Sequence, residues 1–213
     1  MDQMFVFSKW YIFCLSTYII SIMIDGIPKN IDTSYKKKQI KNVLFNMFFS
    51  TSFVIAFYLT FIIPPNTLFK PIYLEFLEGF IDLVFGELWF GFVHYTFHKI
   101  PYLFKTIHKK HHEIIITQGW HSLYAHPLDV ILTNIGSMII THYIFNHSII
   151  FCLLIGSLAV FNTIIGAHTN KTPNGYHQMH HKNWNINFGF GMFSDNKGFL
   201  FDRLMNTYNK KIE

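Results

Sequence analysis

The chain has 213 residues, of which 51% are hydrophobic, 19% aromatic and only 14% charged. In soluble domains roughly a quarter of the residues are charged, so this composition excludes an ordinary soluble domain and indicates one membrane domain. The net charge of +5 does not indicate nucleic acid, because the lysines cluster in two short segments between apolar runs, as in membrane proteins. The two cysteines, Cys14 and Cys152, also lie in apolar runs and are too few for a disulfide framework.

Five apolar segments predict helices, and they occur in chain order at residues 10–24, 43–63, 72–93, 130–145 and 148–167. The second is free of charge and, at about 1.5 Å per residue, covers the roughly 30 Å hydrocarbon core of a bilayer. The last two are expected to form a helical hairpin. The third carries four acidic residues, so we expect the other spans to bury it, or it crosses only in part.

The lysines predict the orientation of these spans. Basic loops face the cytosol, and the basic segments 36–41 and 99–110 fall on one side of a bundle whose spans alternate in direction. We therefore expect a single domain, an all-α membrane bundle of four to five spans. Residues 1–71 form its N-terminal spans, and residues 94–127 and 168–213 build a cytosolic histidine-rich helical cap.

All 13 histidines lie between residues 94 and 181, and eight of them form three boxes. The boxes are HYTFH with His94 and His98, IHKKHH with His108, His111 and His112, and YHQMHH with His177, His180 and His181. On a helix these spacings put the imidazoles on one side within one turn. A single histidine is more often hydrogen-bonded than metal-bound. Eight in three boxes favour metal, because metal-free rings packed together leave lone pairs unpaired.

Eight or more ligands are enough for two metal ions. Imidazole binds Zn, Cu, Fe and Ni, and a purely structural zinc site needs only four ligands. A centre of two metals beside a membrane indicates oxygen chemistry on a lipid. The spacing alone does not choose iron over zinc.

The order of the boxes resembles that of the sterol desaturase and fatty acid hydroxylase superfamily, which are membrane di-iron oxidases. VHYTFHKIPYLFKTIHKKHHE is similar to its first two boxes, YAHPLD to a His-Pro element, AHTN to an element before box three, and GYHQMHH with NFGFGMFSDNKGFLFDRLMNT to box three and the tail. The resemblance covers about residues 85–208, the histidine-box catalytic region. It departs at Phe201, where the family usually has Trp, and at Asn206-Thr207, where Gly-Thr is common.

This resemblance implies a membrane stem of four helices and a cytosolic cap that holds two iron ions. The implied ligands are the eight box histidines, with His168 as a ninth and His126 as a tenth, while His121 is an outlier. Zinc in the purified protein is compatible with this, because imidazole sites bind zinc more tightly than ferrous iron.

The family's activity is O2-dependent oxidation of a lipid C–H bond. The resemblance implies a sterol substrate, as in C-5 desaturases or C-4 methyl oxidases, with fatty acid or sphingolipid hydroxylation as the alternative. It also implies cytochrome b5 and its reductase as electron donors, since the sequence lacks the HPGG motif of a fused cytochrome b5 domain.

Two further residue patterns are predicted to matter. Glu87 precedes His94 by two helical turns on one face, so its carboxylate is a candidate hydrogen-bond partner of a ligating imidazole, with a buried structural acid as the equal alternative. The terminal Lys210 and Lys211 match the dilysine retrieval signal of endoplasmic reticulum membrane proteins, with a chance lysine pair as the alternative.

A histidine-rich metal transporter or metal-binding membrane protein is the competing interpretation from another class. Transporters hold their ligands near the middle of the membrane on broken helices. Here the boxes are predicted at the cytosolic ends of helices and in the cap, which favours the enzyme.

Overall fold

A computed structural model describes residues 3–26, 33–61, 70–145, 147, 149–168, 176–189 and 200–209. These ranges contain helices and turns and no strand, which confirms the predicted all-α fold. The proposed retrieval signal at Lys210 and Lys211 lies outside the described residues, as do the last two residues of the predicted 43–63 span. Parts of the AHTN element and of the tail motif also lie outside them.

The long helices follow the predicted apolar segments. The first histidine box lies at the C-terminal end of the long helix α3, and short helical segments carry the second and third boxes. The α-helices are α1 (Gln3–Asp25), α2 (Thr33–Phe61), α3 (Ile72–Lys99), α4 (Pro101–Leu103), α5 (Pro127–Val130), α6 (Gly136–Phe145), α7 (Ile149–Phe161), α8 (Tyr176–Lys182) and α9 (Leu200–Met205). Prolines occupy the first positions of α4 and α5, where the missing N–H removes no helical hydrogen bond.

Three π-turns interrupt or extend these helices. They are Phe104–His108 after α4, Ile131–Ile135 between α5 and α6, and Asn162–Ala167 after α7. A π-turn places one more residue in each hydrogen-bonded turn than an α-helix does, and such turns are frequent at functional sites. The second turn joins α5 and α6 into one continuous helix.

That continuous helix, Pro127–Phe145, has 19 residues with a mean hydropathy of 1.4. It is the one helix among the described residues that is long and apolar enough to cross a membrane. Tyr11–Asp25 and Leu154–Ala167 are shorter apolar helices. Large apolar side chains also lie on the outer faces of α1, α2 and α3, where Met23 is 79% exposed, Phe48 65% and Phe76 62%. Such surfaces support the predicted membrane location, while the number of spans stays a prediction.

The loop between the second histidine box and α5 is fastened to the two N-terminal helices. The Asn46 amide donates to the carbonyls of Leu123 and Ala125, at 2.7 and 2.9 Å. The Gly119 N–H donates to the Asp25 carboxylate at 2.8 Å. A buried cluster that includes Tyr124 and Val43 fills the space below this loop. The N-terminal helices therefore position the loop that adjoins the histidines.

The C-terminal helix α9 packs against α3 at Gly91. A Cβ built on Gly91 would lie only 2.2 Å from the ring of Phe201, so this contact requires glycine. Phe201 is buried and replaces the tryptophan that the sequence comparison led us to expect there. Asp202, also buried, then accepts hydrogen bonds from the N–H groups of Phe188 and Gly189, both at 2.7 Å.

We expect Gly91→Ala to destabilise the protein by about 1–3 kcal/mol, because the added methyl group forces α9 away from α3. The apparent melting temperature in detergent should fall by roughly 2–10 °C. Gly86→Ala on the same helix is the control, since its Cβ would have its nearest atom, Ser137 Oγ, at 3.6 Å. Equal melting temperatures for the two variants would contradict this account of the contact.

Candidate metal centre

Nine histidines meet in two neighbouring clusters inside the protein. The five-histidine cluster contains His94, His98, His108, His112 and His180. The four-histidine cluster contains His111, His168, His177 and His181. Within each cluster the ligand atoms lie within 4.8 Å of one another. All nine rings are buried except that of His98, which is partly exposed.

The spacing of the ring nitrogens fits metal ions. In the five-histidine cluster, the Nε2 atom of His112 lies 3.0 Å from Nε2 of both His98 and His108. In the four-histidine cluster, His111 Nε2 lies 3.2 Å from His181 Nε2 and 3.4 Å from His177 Nε2. Ligands about 2.1 Å from one ion lie about 3.0 Å apart at right angles and about 3.4 Å apart in a tetrahedron. Both clusters therefore have the dimensions of a metal site.

Each HxxHH box supplies both clusters, in opposite proportions. In the second box, His108 and His112 join the five-histidine cluster while His111 joins the other. In the third box, His177 and His181 join the four-histidine cluster and His180 crosses to the first. Residues four apart stay together and the residue between them points to the other cluster. The two sites are thus interlocked and share the same backbone segments.

Backbone carbonyls and one carboxylate orient six of the nine rings through their Nδ1 atoms. The acceptors are Phe188 O for His94 at 2.8 Å, Asp129 Oδ2 for His108 at 2.7 Å, Tyr124 O for His111 at 3.3 Å, Thr163 O for His168 at 2.7 Å, Ile186 O for His180 at 2.7 Å and Ile114 O for His181 at 2.8 Å. An oxygen acceptor requires the proton on Nδ1, which leaves the lone pair on Nε2. In these rings Nε2 is therefore the atom free to bind a metal.

Asp129 supplies the one carboxylate among these six acceptors. Its contact with His108 is fully enclosed, with side-chain exposures of 2% for His108 and 5% for Asp129. A buried carboxylate that accepts from a ligating imidazole fixes the ring and makes its other nitrogen a stronger donor to metal. Asp129 lies in the YAHPLD element, three residues after His126.

Burial keeps the rings neutral, which is the form that binds metal. Desolvation lowers the pKa of His111 to about 4 and the pKa of both His168 and His180 to about 3. Neighbouring histidines lower these values further, because a second positive charge in the same pocket is repelled. At neutral pH these rings are uncharged, so binding a metal ion displaces no proton from Nε2.

The described part of the C-terminal tail contributes to the centre by fixing a loop beside the rings. Asp202 holds the N–H groups of Phe188 and Gly189, and the adjacent Phe188 carbonyl accepts from His94. The Ile186 carbonyl, two residues earlier, accepts from His180. The Asp-Arg tail thus fixes the loop that orients two rings of the five-histidine cluster.

The structure brings together the eight box histidines and His168, and it leaves three other candidates outside both clusters. His126 is partly exposed and caps α5, where its Nδ1 accepts from the Leu128 N–H at 3.2 Å. His121 accepts from the Gln118 N–H at 3.1 Å and stacks on Trp120. Glu87 is fully buried on α3, and its proposed role beside a ligand stays a prediction.

The role of Asp129 was not predicted, although the residue lies in the YAHPLD motif. The signal was available, since an acid next to a His-Pro pair in a histidine-rich region is a candidate partner for an imidazole. Its partner His108 is 21 residues away along the chain, and no helical periodicity links the two.

Comparison with known proteins identifies a family and several relatives. A sequence profile described as fatty acid hydroxylase matches residues 79–207. The human protein called fatty acid hydroxylase domain-containing protein 2 is 28% identical over 183 residues, which cover 82% of this chain and 54% of that protein.

Two relatives with more specific names also match. Sphinganine C4-monooxygenase 2 of Arabidopsis thaliana is 26% identical over 141 residues, or 60% of this chain and 52% of that protein. C-4 methylsterol oxidase of Candida albicans is 32% identical over 92 residues, or 42% of this chain and 26% of that protein. The chain spans about half the length of the first two relatives. No solved structure matches it.

We expect Asp129→Asn to weaken metal binding by roughly 10–100-fold, because the amide cannot accept the His108 proton as a carboxylate does. Metal content measured by mass spectrometry after dialysis against a graded series of chelator should fall at lower chelator concentrations than in the wild type.

Glu87→Gln is the variant to compare with Asp129→Asn, because Glu87 is also a buried acid and lies on the helix that carries His94. A loss of metal in this variant would support its predicted contact with a ligand, and unchanged metal content and turnover would remove that idea. Full retention of metal by Asp129→Asn would show that the carboxylate does not tune the site.

Proposed function

Because the chain belongs to the fatty acid hydroxylase family, we propose that it is a membrane-bound di-iron oxidase of lipids. It uses O2 and external electrons to hydroxylate, demethylate or desaturate its substrate. The two adjacent clusters carry this proposal, since nine imidazoles with converging Nε2 atoms provide ligands for two ions. Two iron ions, when bound, supply the redox chemistry that reduces O2 and oxidises a C–H bond.

The protein residues hold, orient and enclose this chemistry. In six of the nine rings, a backbone carbonyl or Asp129 accepts a hydrogen bond from Nδ1, and this leaves the lone pair of Nε2 available to a metal ion. Phe90 packs edge-on against His94 and His177, with ring centroids 5.3 and 6.2 Å apart, and gives the centre an apolar side chain next to the helical bundle. Apolar side chains at such a site favour a lipid over water.

The overall reaction requires O2, two electrons and two protons from outside the chain. Hydroxylation places one oxygen atom of O2 in the C–H bond, and two electrons and two protons convert the other to water. Desaturation removes two hydrogen atoms from the lipid and, with the same two electrons and two protons, converts both oxygen atoms to water. We propose cytochrome b5 and its reductase as the electron source.

We propose a sterol as the first candidate substrate, oxidised as by a C-5 desaturase or a C-4 methyl oxidase. A relative named C-4 methylsterol oxidase supports this choice. A relative named sphinganine C4-monooxygenase supports the alternative, a fatty acid or sphingolipid hydroxylase. Both alternatives are membrane lipids, which suits the apolar outer faces of the helices.

Lipid profiling in a sterol-auxotrophic host tests the function. We expect expression of the wild-type chain to create or consume a defined sterol, sphingolipid or fatty acid, and His180→Ala to abolish the change because it removes a ring from the five-histidine cluster. Lys182→Ala is the control, an exposed residue of the same helix, and it should behave as wild type.

Two outcomes of that experiment are informative, and a separate vesicle assay tests the competing transporter. A profile that changes with the wild type and with Lys182→Ala alone supports the proposal. Unchanged sterol, sphingolipid and fatty acid profiles contradict it. Metal that exchanges freely and moves across vesicles favours the competing transporter. Zinc in the purified protein does not contradict the proposal, because imidazole prefers zinc to ferrous iron.

We also propose residence in the endoplasmic reticulum membrane, with the metal centre and the C-terminus in the cytosol. If Lys210 and Lys211 form a retrieval signal, changing both to serine should move a tagged protein to later secretory compartments in fluorescence microscopy. Serine at Lys36 and Lys37 is the control for loss of charge. An unchanged location of the terminal variant would reject the signal.

A further inference from the structure

Two cavities border on the same three residues beside the metal centre. One is lined by rings of both clusters, including His94, His111 and His177. The other lies between α3, α6 and α7 and is lined by side chains such as Leu83, Met138, Ile155 and Ala159. Phe90, Thr133 and Asn134 line both. A lipid that extends from the bundle to the metal centre passes these three residues.

Two of these boundary residues are polar, which a site for a plain hydrocarbon would not require. Thr133 is buried, and its hydroxyl donates to the Asp129 carbonyl at 2.6 Å, so its oxygen can still accept a hydrogen bond. The Asn134 Oδ1 atom is buried and accepts no hydrogen bond from the described part of the chain. Buried amide oxygens are normally paired, so Asn134 provides an acceptor for a donor on the substrate.

Two other polar groups along the deeper cavity have partners. The Thr141 hydroxyl donates to the Ser137 carbonyl at 3.1 Å, and the Asp82 carboxylate lies 2.8 Å from Nε2 of His147. Around them the lining is aliphatic and aromatic. The Asp82 Oδ1 atom accepts no hydrogen bond from the described residues, but Asp82 lines only this deeper cavity, whereas Asn134 lies at its boundary with the metal centre. Asn134 is therefore the acceptor placed for a polar group near the metals, and the mainly apolar deeper part suits the body of a lipid.

The π-turn Ile131–Ile135 explains how one helix both holds a metal ligand and lines the cavities. Asp129, just before the turn, holds the ligand His108, and Thr133 and Asn134 within the turn line the boundary of the cavities. The wider turn changes the angular position of the residues that follow it, relative to a regular α-helix. The same helix therefore orients a metal ligand and presents an amide to the substrate.

We propose that Asn134, assisted by Thr133, binds a hydroxyl group of the substrate that lies a few bonds from the oxidised carbon. The substrate hydroxyl donates to Asn134 Oδ1, and the apolar remainder of the lipid fills the cavity between α3, α6 and α7. The substrate class is a hydroxylated lipid oxidised near its polar end, such as a 3-hydroxysterol or a long-chain base. This inference rests on the proposed lipid oxidation.

Equilibrium binding to the purified protein in nanodiscs tests this without turnover. Two pairs of probes are used: a 3β-hydroxysterol with its 3-deoxy analogue, and sphinganine with octadecylamine. We expect wild type to bind the hydroxylated member of one pair about tenfold more tightly. The pair that shows the preference identifies the source of the hydroxyl group.

Variants then assign the preference to the amide. Asn134→Leu should reduce the ratio of dissociation constants to about one, with unchanged affinity for the deoxy lipid. Asn134→Asp keeps acceptor oxygens in the same place and should keep the preference, so it serves where the leucine variant does not fold. Thr141→Val is the matched control, and it should leave the ratio unchanged because its hydroxyl is already bonded within the helix.

The outcomes separate this inference from the proposed function. Equal binding of both members of each pair by wild type would overturn it, and so would an undiminished preference in a folded, metal-replete Asn134→Leu variant. A preference that depends on Asn134 in a protein that oxidises no lipid would support the binding site and contradict the oxidase. Oxidation of lipids that lack a hydroxyl group, with no effect of the leucine variant, would contradict the site alone.

Discussion

The packing of nine imidazoles, eight of them buried, in one small volume is the constraint on which the rest of the structure depends. Their Nε2 atoms approach to 3.0–3.4 Å, a distance at which lone pairs repel unless a cation lies between them. Protonation would relieve the repulsion only by placing like charges together in a dry site. The arrangement is therefore stable in the form that binds metal, and the surrounding structure has to hold the rings in place until metal is bound.

Three separate parts of the chain provide this support. The N-terminal helices hold the loop that contains Tyr124, whose carbonyl orients His111. The helix that begins at Pro127 brings Asp129 to His108. The C-terminal tail fixes the Phe188 carbonyl beside His94. Most of the chain thus acts on the centre through hydrogen bonds to Nδ1, and changes far from the metals can alter their ligands.

Local spacing revealed the histidines but not their distribution between two sites. Intervals of three and four residues predicted neighbouring rings, and the helices indeed follow the apolar segments. The second box lies on a π-turn and a 3₁₀-turn, whose angular steps differ from the 100° assumed for an α-helix. The third box is divided in the same way on the regular helix α8, so the division depends on how the boxes pack against each other. Asp129 and the polar boundary at Asn134 depend on contacts between distant segments. Such contacts leave no periodic signal.

The short helix α8 has a consequence for the order of biosynthesis. His180 completes one cluster, and His177 and His181 contribute half of the other, so both sites need a segment that the ribosome makes after all five long helices. A nascent chain that has already formed the bundle therefore still lacks both complete metal sites. Formation of the complete metal sites must therefore follow the synthesis of α8, and a chain truncated before residue 176 would lack both of them.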